Sequence, residues 1–69
     1  MRHPDRITIL TEVGRGDTAR RWKATARAAT IEPLMMNREG EGEGAAPDVA
    51  AKRAAEQAVS RLLRAYNEA

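Results

Sequence analysis

The chain has 69 residues, of which 42% are hydrophobic and 32% charged, with a net charge of +2 and no cysteine. That length holds one small domain, which buries only about 60% of the surface its unfolded form exposes, so a large core is excluded. The lack of cysteine excludes disulfides and thiolate metal sites, and no stretch nears the roughly 18 apolar residues of a membrane span.

Residues 6–13, Arg-Ile-Thr-Ile-Leu-Thr-Glu-Val, are expected as a first strand. β-branched residues dominate it, and Ile7, Ile9, Thr11 and Val13 share one face at period two, with Leu10 breaking the alternation. Gly14-Arg15-Gly16-Asp17 follows as a turn. Residues 18–29 fit two readings. As a strand they point Trp22, Ala24, Ala26 and Ala28 inward, and Arg21, Lys23, Thr25 and Arg27 outward. As a helix capped by Asp17 or Thr18 they carry an apolar stripe of Ala19, Trp22, Ala26 and Ala29. The clean alternation after a turn favours the strand; alanine propensity favours the helix. A third strand is expected at 31–37, with Pro33 suiting an edge or a strand start. Residues 38–46, Arg-Glu-Gly-Glu-Gly-Glu-Gly-Ala-Ala, have the composition of a flexible acidic loop.

The last expected element is a helix over 47–67. Pro47 suits its first position and Asp48 its first turn. Ala51, Ala55, Ala58, Val59, Leu62 and Tyr66 form its apolar stripe, flanked by Leu63, with Arg53, Arg61 and Arg64 on the solvated side. The fold class expected is α+β: a small antiparallel sheet of two or three strands packed against one C-terminal helix, in a single domain.

The order strand, Gly turn, strand, strand, Gly-Glu-Gly and Ala-rich helix resembles the double-stranded-RNA-binding domain, over roughly residues 7–63. Glu12-Val13-Gly14-Arg15-Gly16-Asp17 is similar to that family's loop between its first two strands. Trp22-Lys23-Ala24-Thr25-Ala26 sits at its aromatic residue and alternating valines. Gly42-Glu43-Gly44 matches the loop before its last helix, and Ala54-Ala55, Ala58-Val59 and Leu62 match that helix's core. Only five residues precede the first expected strand, so the family's first helix has no counterpart. Asp17 stands at its loop histidine, and Pro47, Asp48 and Ala51 stand at its three phosphate-gripping lysines. Lys52 and Arg53 are basic but fall one and two places later. The resemblance therefore implies the family's scaffold without its phosphate grip, and phosphate neutralisation supplies most of such binding.

Catalytic groups are hard to assemble. His3 is the one histidine and lies near the terminus, there is no thiol, and the serines and threonines have no base to activate them. Glu39, Glu41 and Glu43 read as a solvated acidic cluster, with weak cation binding as the lesser alternative and without the ligand spacing of a calcium loop. Gly40, Gly42 and Gly44 interleave with those glutamates, which repel phosphate, and Arg15-Gly16-Asp17 reads only as a turn. Trp22 is expected in the core rather than as a stacking platform, and Met35-Met36 as core or as an adaptable apolar contact. No metal and no cofactor is expected.

Charge is distributed unevenly: residues 1–27 carry seven basic and three acidic groups, 28–48 one and five, and 49–69 four and two. This polarity suits a small non-catalytic binding protein. The favoured partner is a protein, with Arg15, Arg20, Arg21, Lys23 and Arg27 as a basic surface and Glu39, Glu41 and Glu43 as an acidic one. In size and layout the chain is similar to phage-encoded inhibitors of nucleic-acid-handling complexes, such as anti-CRISPR proteins; no motif carries that likeness. The alternative is a nucleic-acid-binding module, a reduced relative of the RNA-binding domain using the basic residues. A homodimer is compatible with either, since a sheet lacking the first helix leaves apolar surface or an edge strand open. Residues 1–15 lack the apolar run of a signal peptide, and with no cysteine the expected location is the cytoplasm.

Overall fold

In a computed structural model, which describes residues 4–18, 20–32 and 34–68, the chain forms β1 (Thr8–Arg15), β2 (Trp22–Thr30), β3 (Met36–Gly44) and α1 (Pro47–Glu68). The three strands make one antiparallel sheet in the order β1-β2-β3, and α1 packs across one face, mainly over β3 and β2. His3, Ala19 and Pro33, on which parts of the expectations above rest, lie outside the described residues.

The alternation in β2 places it at the centre. Ala24, Ala26, Ala28 and Thr30 are buried beneath α1, while Lys23, Thr25 and Arg27 are exposed on the outer face. The register then fixes both neighbours. Val13, Thr11 and Ile9 of β1 lie beside Ala24, Ala26 and Ala28 on the helix side, as do Gly42, Gly40 and Arg38 of β3. Of the two readings of residues 18–29, the strand holds for residues 22–29, and β2 runs on to Thr30. The β1–β2 connection begins at Gly16 rather than Gly14: Gly14 and Arg15 belong to β1. The Gly16 N–H donates to the Arg21 carbonyl at 2.8 Å, and the Arg21 N–H to the Thr18 carbonyl at 3.1 Å.

The largest correction concerns residues 31–46. The third strand is not 31–37, and 38–46 is not a loop; β3 runs from Met36 to Gly44. Gly42-Glu43-Gly44, which the resemblance places in a loop, lies within it. The reason is the helix. Strand glycines have little intrinsic β propensity, but here they admit a second backbone. A Cβ on Gly40 would overlap the backbone N of Ala58, and one on Gly42 would lie 2.5 Å from both the Ala50 carbonyl O and the Ala54 backbone N. Four residues of helix rise about 6 Å and two residues of strand about 6.6 Å. Alanines spaced by four on α1 therefore mesh with glycines spaced by two on β3.

Ala50, Ala54, Ala58, Leu62 and Tyr66 form the buried stripe of α1. Ala51, Ala55 and Val59, expected at its centre, are partly buried beside it. Apart from Leu62 and Tyr66, the buried apolar residues are all alanine: Ala24, Ala26, Ala28, Ala50, Ala54 and Ala58. Each supplies about one methyl, on the order of 0.8 kcal/mol of transfer energy, so tight backbone contact rather than bulk apolar volume holds α1 to the sheet. Of the larger side chains, Ile7, Trp22, Met36 and Val59 pack partly buried against this core, while Ile9, Leu10, Val13, Ile31, Leu34, Met35 and Val49 are exposed.

Candidate functional site

Three parts of the sheet bear on contact with a partner: its outer face, its β3 edge and its β1 edge.

The outer face gathers most of the residues singled out from the sequence, and pairs them. The Arg27 guanidinium meets the Glu39 carboxylate across β2–β3 at 2.6 Å. Arg21 meets Glu43 at 3.0 Å, and Lys23 lies between Asp17 at 3.4 Å and Glu43 at 3.7 Å. Three cations thus face three carboxylates. These groups are half exposed or more, so each pair is worth about 0.2–1 kcal/mol. The electrostatic consequence is larger than the energetic one: this patch is charge-balanced rather than basic. Glu41 lies opposite Thr25. Arg15 sits apart, on the helix side, with its guanidinium 4.8 Å from the ring centre of half-buried Trp22. Arg20 is exposed in the β1–β2 connection. The structure therefore does not unite Arg15, Arg20, Arg21, Lys23 and Arg27 as one uncompensated basic stripe.

The β3 edge is closed by α1. Arg53 donates to the Glu43 carbonyl at 2.8 Å, the Glu41 N–H donates to the Gln57 side-chain oxygen at 2.7 Å, and Arg61 donates to the Glu39 carbonyl at 2.9 Å. The same four-to-two match that seats alanine on glycine makes this ladder possible. Helix side chains take the place of a fourth strand. Arg53 and Arg61, expected to be merely solvated, are the outer members of that ladder.

The β1 edge is open. Among the described residues β1 pairs with β2 alone, and all eight of its own residues are exposed on a sheet whose other two strands are partly covered. Leu10 is 68% exposed on the outer face, and Ile9 and Val13 are 44% and 42% exposed on the helix side. Thr8 to Arg15 contains neither proline nor lysine, and its register with β2 runs one to one without a bulge. Proline, lysine and bulges are usual devices that blunt a strand edge; the charged residues of β1 are Glu12 on the outer face and Arg15 at its end, over the Trp22 ring. Arg53, Gln57 and Arg61 occupy the α1 flank toward β3. At 100° per residue, Ala51, Ala55 and Val59 lie on the opposite flank, toward β1. Ile9 and Val13 expose apolar side chains on the same side of the sheet as these three helix residues, which are partly buried against the core. The sequence shows the apolar row of β1 but not that α1 leaves it exposed.

Among the described residues, no group of three or more His, Cys, Asp or Glu side chains is arranged to hold a metal ion, and no helix is long and apolar enough to cross a membrane. No family model, curated protein or solved structure matches the chain.

Proposed function

We propose that the chain is a non-catalytic protein-binding module whose contact surface is β1, comprising its unpaired edge and its exposed apolar side chains Ile9, Leu10 and Val13. The observation that supports this is the asymmetry of the sheet: one edge is hydrogen-bonded by its own helix, while the other exposes Ile9, Leu10 and Val13. An exposed edge strand with apolar side chains on both faces suits strand addition by another polypeptide, in which main-chain hydrogen bonds give affinity and alternate side chains give specificity. The pairing of Arg21, Lys23 and Arg27 with carboxylates also favours a protein. Counterion release from nucleic acid draws on cations free to neutralise phosphate. A cytoplasmic location belongs to the same reading.

The test compares capture of proteins from host lysate by the wild type, by an Ile9→Lys/Val13→Lys variant and by an Arg21→Glu/Lys23→Glu/Arg27→Glu variant, each checked for folding by circular dichroism. The partner should be lost from the β1 variant and retained by the outer-face variant. The opposite pattern transfers the contact surface to the charged face. Fluorescence anisotropy with duplex RNA and DNA guards the alternative. Tight binding that weakens by roughly 10³-fold or more between about 50 and 200 mM salt would replace this reading by a nucleic-acid-binding one.

A further inference from the structure

Resting on β1 as the contact surface, we infer that its edge is occupied by a second copy of this chain, joined β1 to β1 in antiparallel fashion into a continuous six-stranded sheet.

Geometry restricts the register. A two-fold axis that extends the sheet stands perpendicular to it and keeps both helices on the same side. Residues placed opposite each other must then face the same way, so their numbers sum to an even value. For a strand running from Thr8 to Arg15, two such registers give the longest overlap. One is centred on Glu12; it sets Glu12 against Glu12 of the second copy and Ile9 against Arg15. The other is centred on Thr11. It sets Thr11 against Thr11, Ile9 against Val13 and Leu10 against Glu12, each pair occurring twice except the one on the axis. Like charges directly opposite destabilise a sheet, whereas β-branched and threonine pairs stabilise it. The edge therefore fits a copy of itself in the register centred on Thr11. The row Ile9, Thr11, Val13 continues across the axis into the same row of the second copy.

Two further features favour a copy over a foreign strand. Among the described residues the buried apolar set is six alanines with Leu62 and Tyr66, while Ile9, Leu10 and Val13 of β1 stay exposed within one chain. The opposite edge is sealed by Arg53, Gln57 and Arg61, which stops the assembly at two copies instead of letting sheets add indefinitely. The two helices would then stand on the same side of the sheet with both rows of Ile9 and Val13 between them, leaving a groove for an outside partner.

Leu10 provides the decisive test, because it is exposed on the outer face and faces Glu12 of the other copy. Sedimentation equilibrium of the wild type should show a dimer. Leu10→Glu opposes two carboxylate pairs and should weaken association roughly tenfold or more, whereas Leu10→Lys should dimerise more tightly than Leu10→Glu, each variant being checked for folding because position 10 also stands opposite Arg27 of its own sheet. Thr11→Cys should crosslink two copies on mild oxidation. A wild type that stays monomeric at about 200 µM overturns the dimer, and equal weakening by Leu10→Glu and Leu10→Lys overturns the β1-to-β1 register centred on Thr11. Either result leaves the capture experiment with Ile9→Lys/Val13→Lys as an independent test of β1 as a contact surface.

Discussion

The two outer strands of this sheet meet the same problem in opposite ways. Both β1 and β3 pair with β2 on one side and have a free row of backbone groups on the other. Along β3, small residues every second position draw the helix down until Arg53, Gln57 and Arg61 reach the strand's outer carbonyls and amide. Along β1, Ile9 and Val13 stand on the helix side and α1 lies farther over, so the edge is left bare. Helix placement links the two outcomes. The glycines that seal one edge pull α1 away from the other, so closing β3 and opening β1 are one structural event.

The strongest way to break the contrast is to deny the helix its seat. Gly40→Val drives a branched side chain into the α1 backbone at Ala54 and Ala58. Neither side can yield cheaply, because the obstacle is main chain rather than a flexible side chain. The expected loss is about 3 kcal/mol or more, which exceeds what an alanine core withstands, so urea titration should find the variant largely unfolded in buffer. Gly14→Val is the control: nothing lies near a Cβ there. A Gly40→Val variant as stable as the wild type would mean that α1 does not sit on β3 as described.

Next in size is the opening of the second edge. Replacing Arg53, Gln57 and Arg61 together by alanine removes three side-chain bonds to β3, each worth about 0.5–1.5 kcal/mol in general. Solvent replaces them at an exposed edge, so the sum should lie near the bottom of that range, about 1–2 kcal/mol. The sharper readout is local. The Glu41 amide, which donates to Gln57, should lose hydrogen-exchange protection in Gln57→Ala alone. The triple variant should also form species larger than a dimer, because both edges are then free. If it keeps the wild-type association state, the ladder is not what guards β3.

The sequence makes parts of this contrast readable and hides others. In β2 the alternation from Trp22 to Ala28 has one period, and its inward and outward residues are where that period puts them. α1 is equally plain from Pro47 to Glu68, except that its early stripe runs through Ala50 and Ala54 instead of Ala51 and Ala55. Alanine stands at all four positions, so composition has no means of choosing between the two stripes. β3 is hidden because Gly-Glu-Gly-Glu-Gly has the composition of a flexible linker. Its period of two is visible, but the meaning of that period depends on a helix backbone arriving from elsewhere in the chain. The edge ladder is hidden for the same reason. Arg53, Gln57 and Arg61 recur every four residues, a spacing that reads as a solvated flank until a strand with matching rise lies beside it. For the candidate site, the charges of the outer face are legible one by one. Their mutual cancellation is not, since it requires the glutamates to stand on a strand rather than in a loop.

The smallest expected effect concerns that cancellation, and it separates the two faces of β3. The helix side is held by backbone contact between glycine and alanine; the outer side carries ion pairs such as Arg27–Glu39. If the first dominates, the pair contributes little in spite of its short separation, because both side chains remain well exposed and solvent screens them. A double-mutant cycle of Arg27→Ala and Glu39→Ala isolates the pairwise part from each residue's own strand preference. The coupling should be about 0.2–1 kcal/mol in about 0.1 M salt, and should shrink in about 1 M salt as the screening length falls to roughly 3 Å. A coupling above about 2 kcal/mol that persists at high salt would reverse the order of the two faces. The cross-strand charges would then hold β3 in place, and the glycines would only make room.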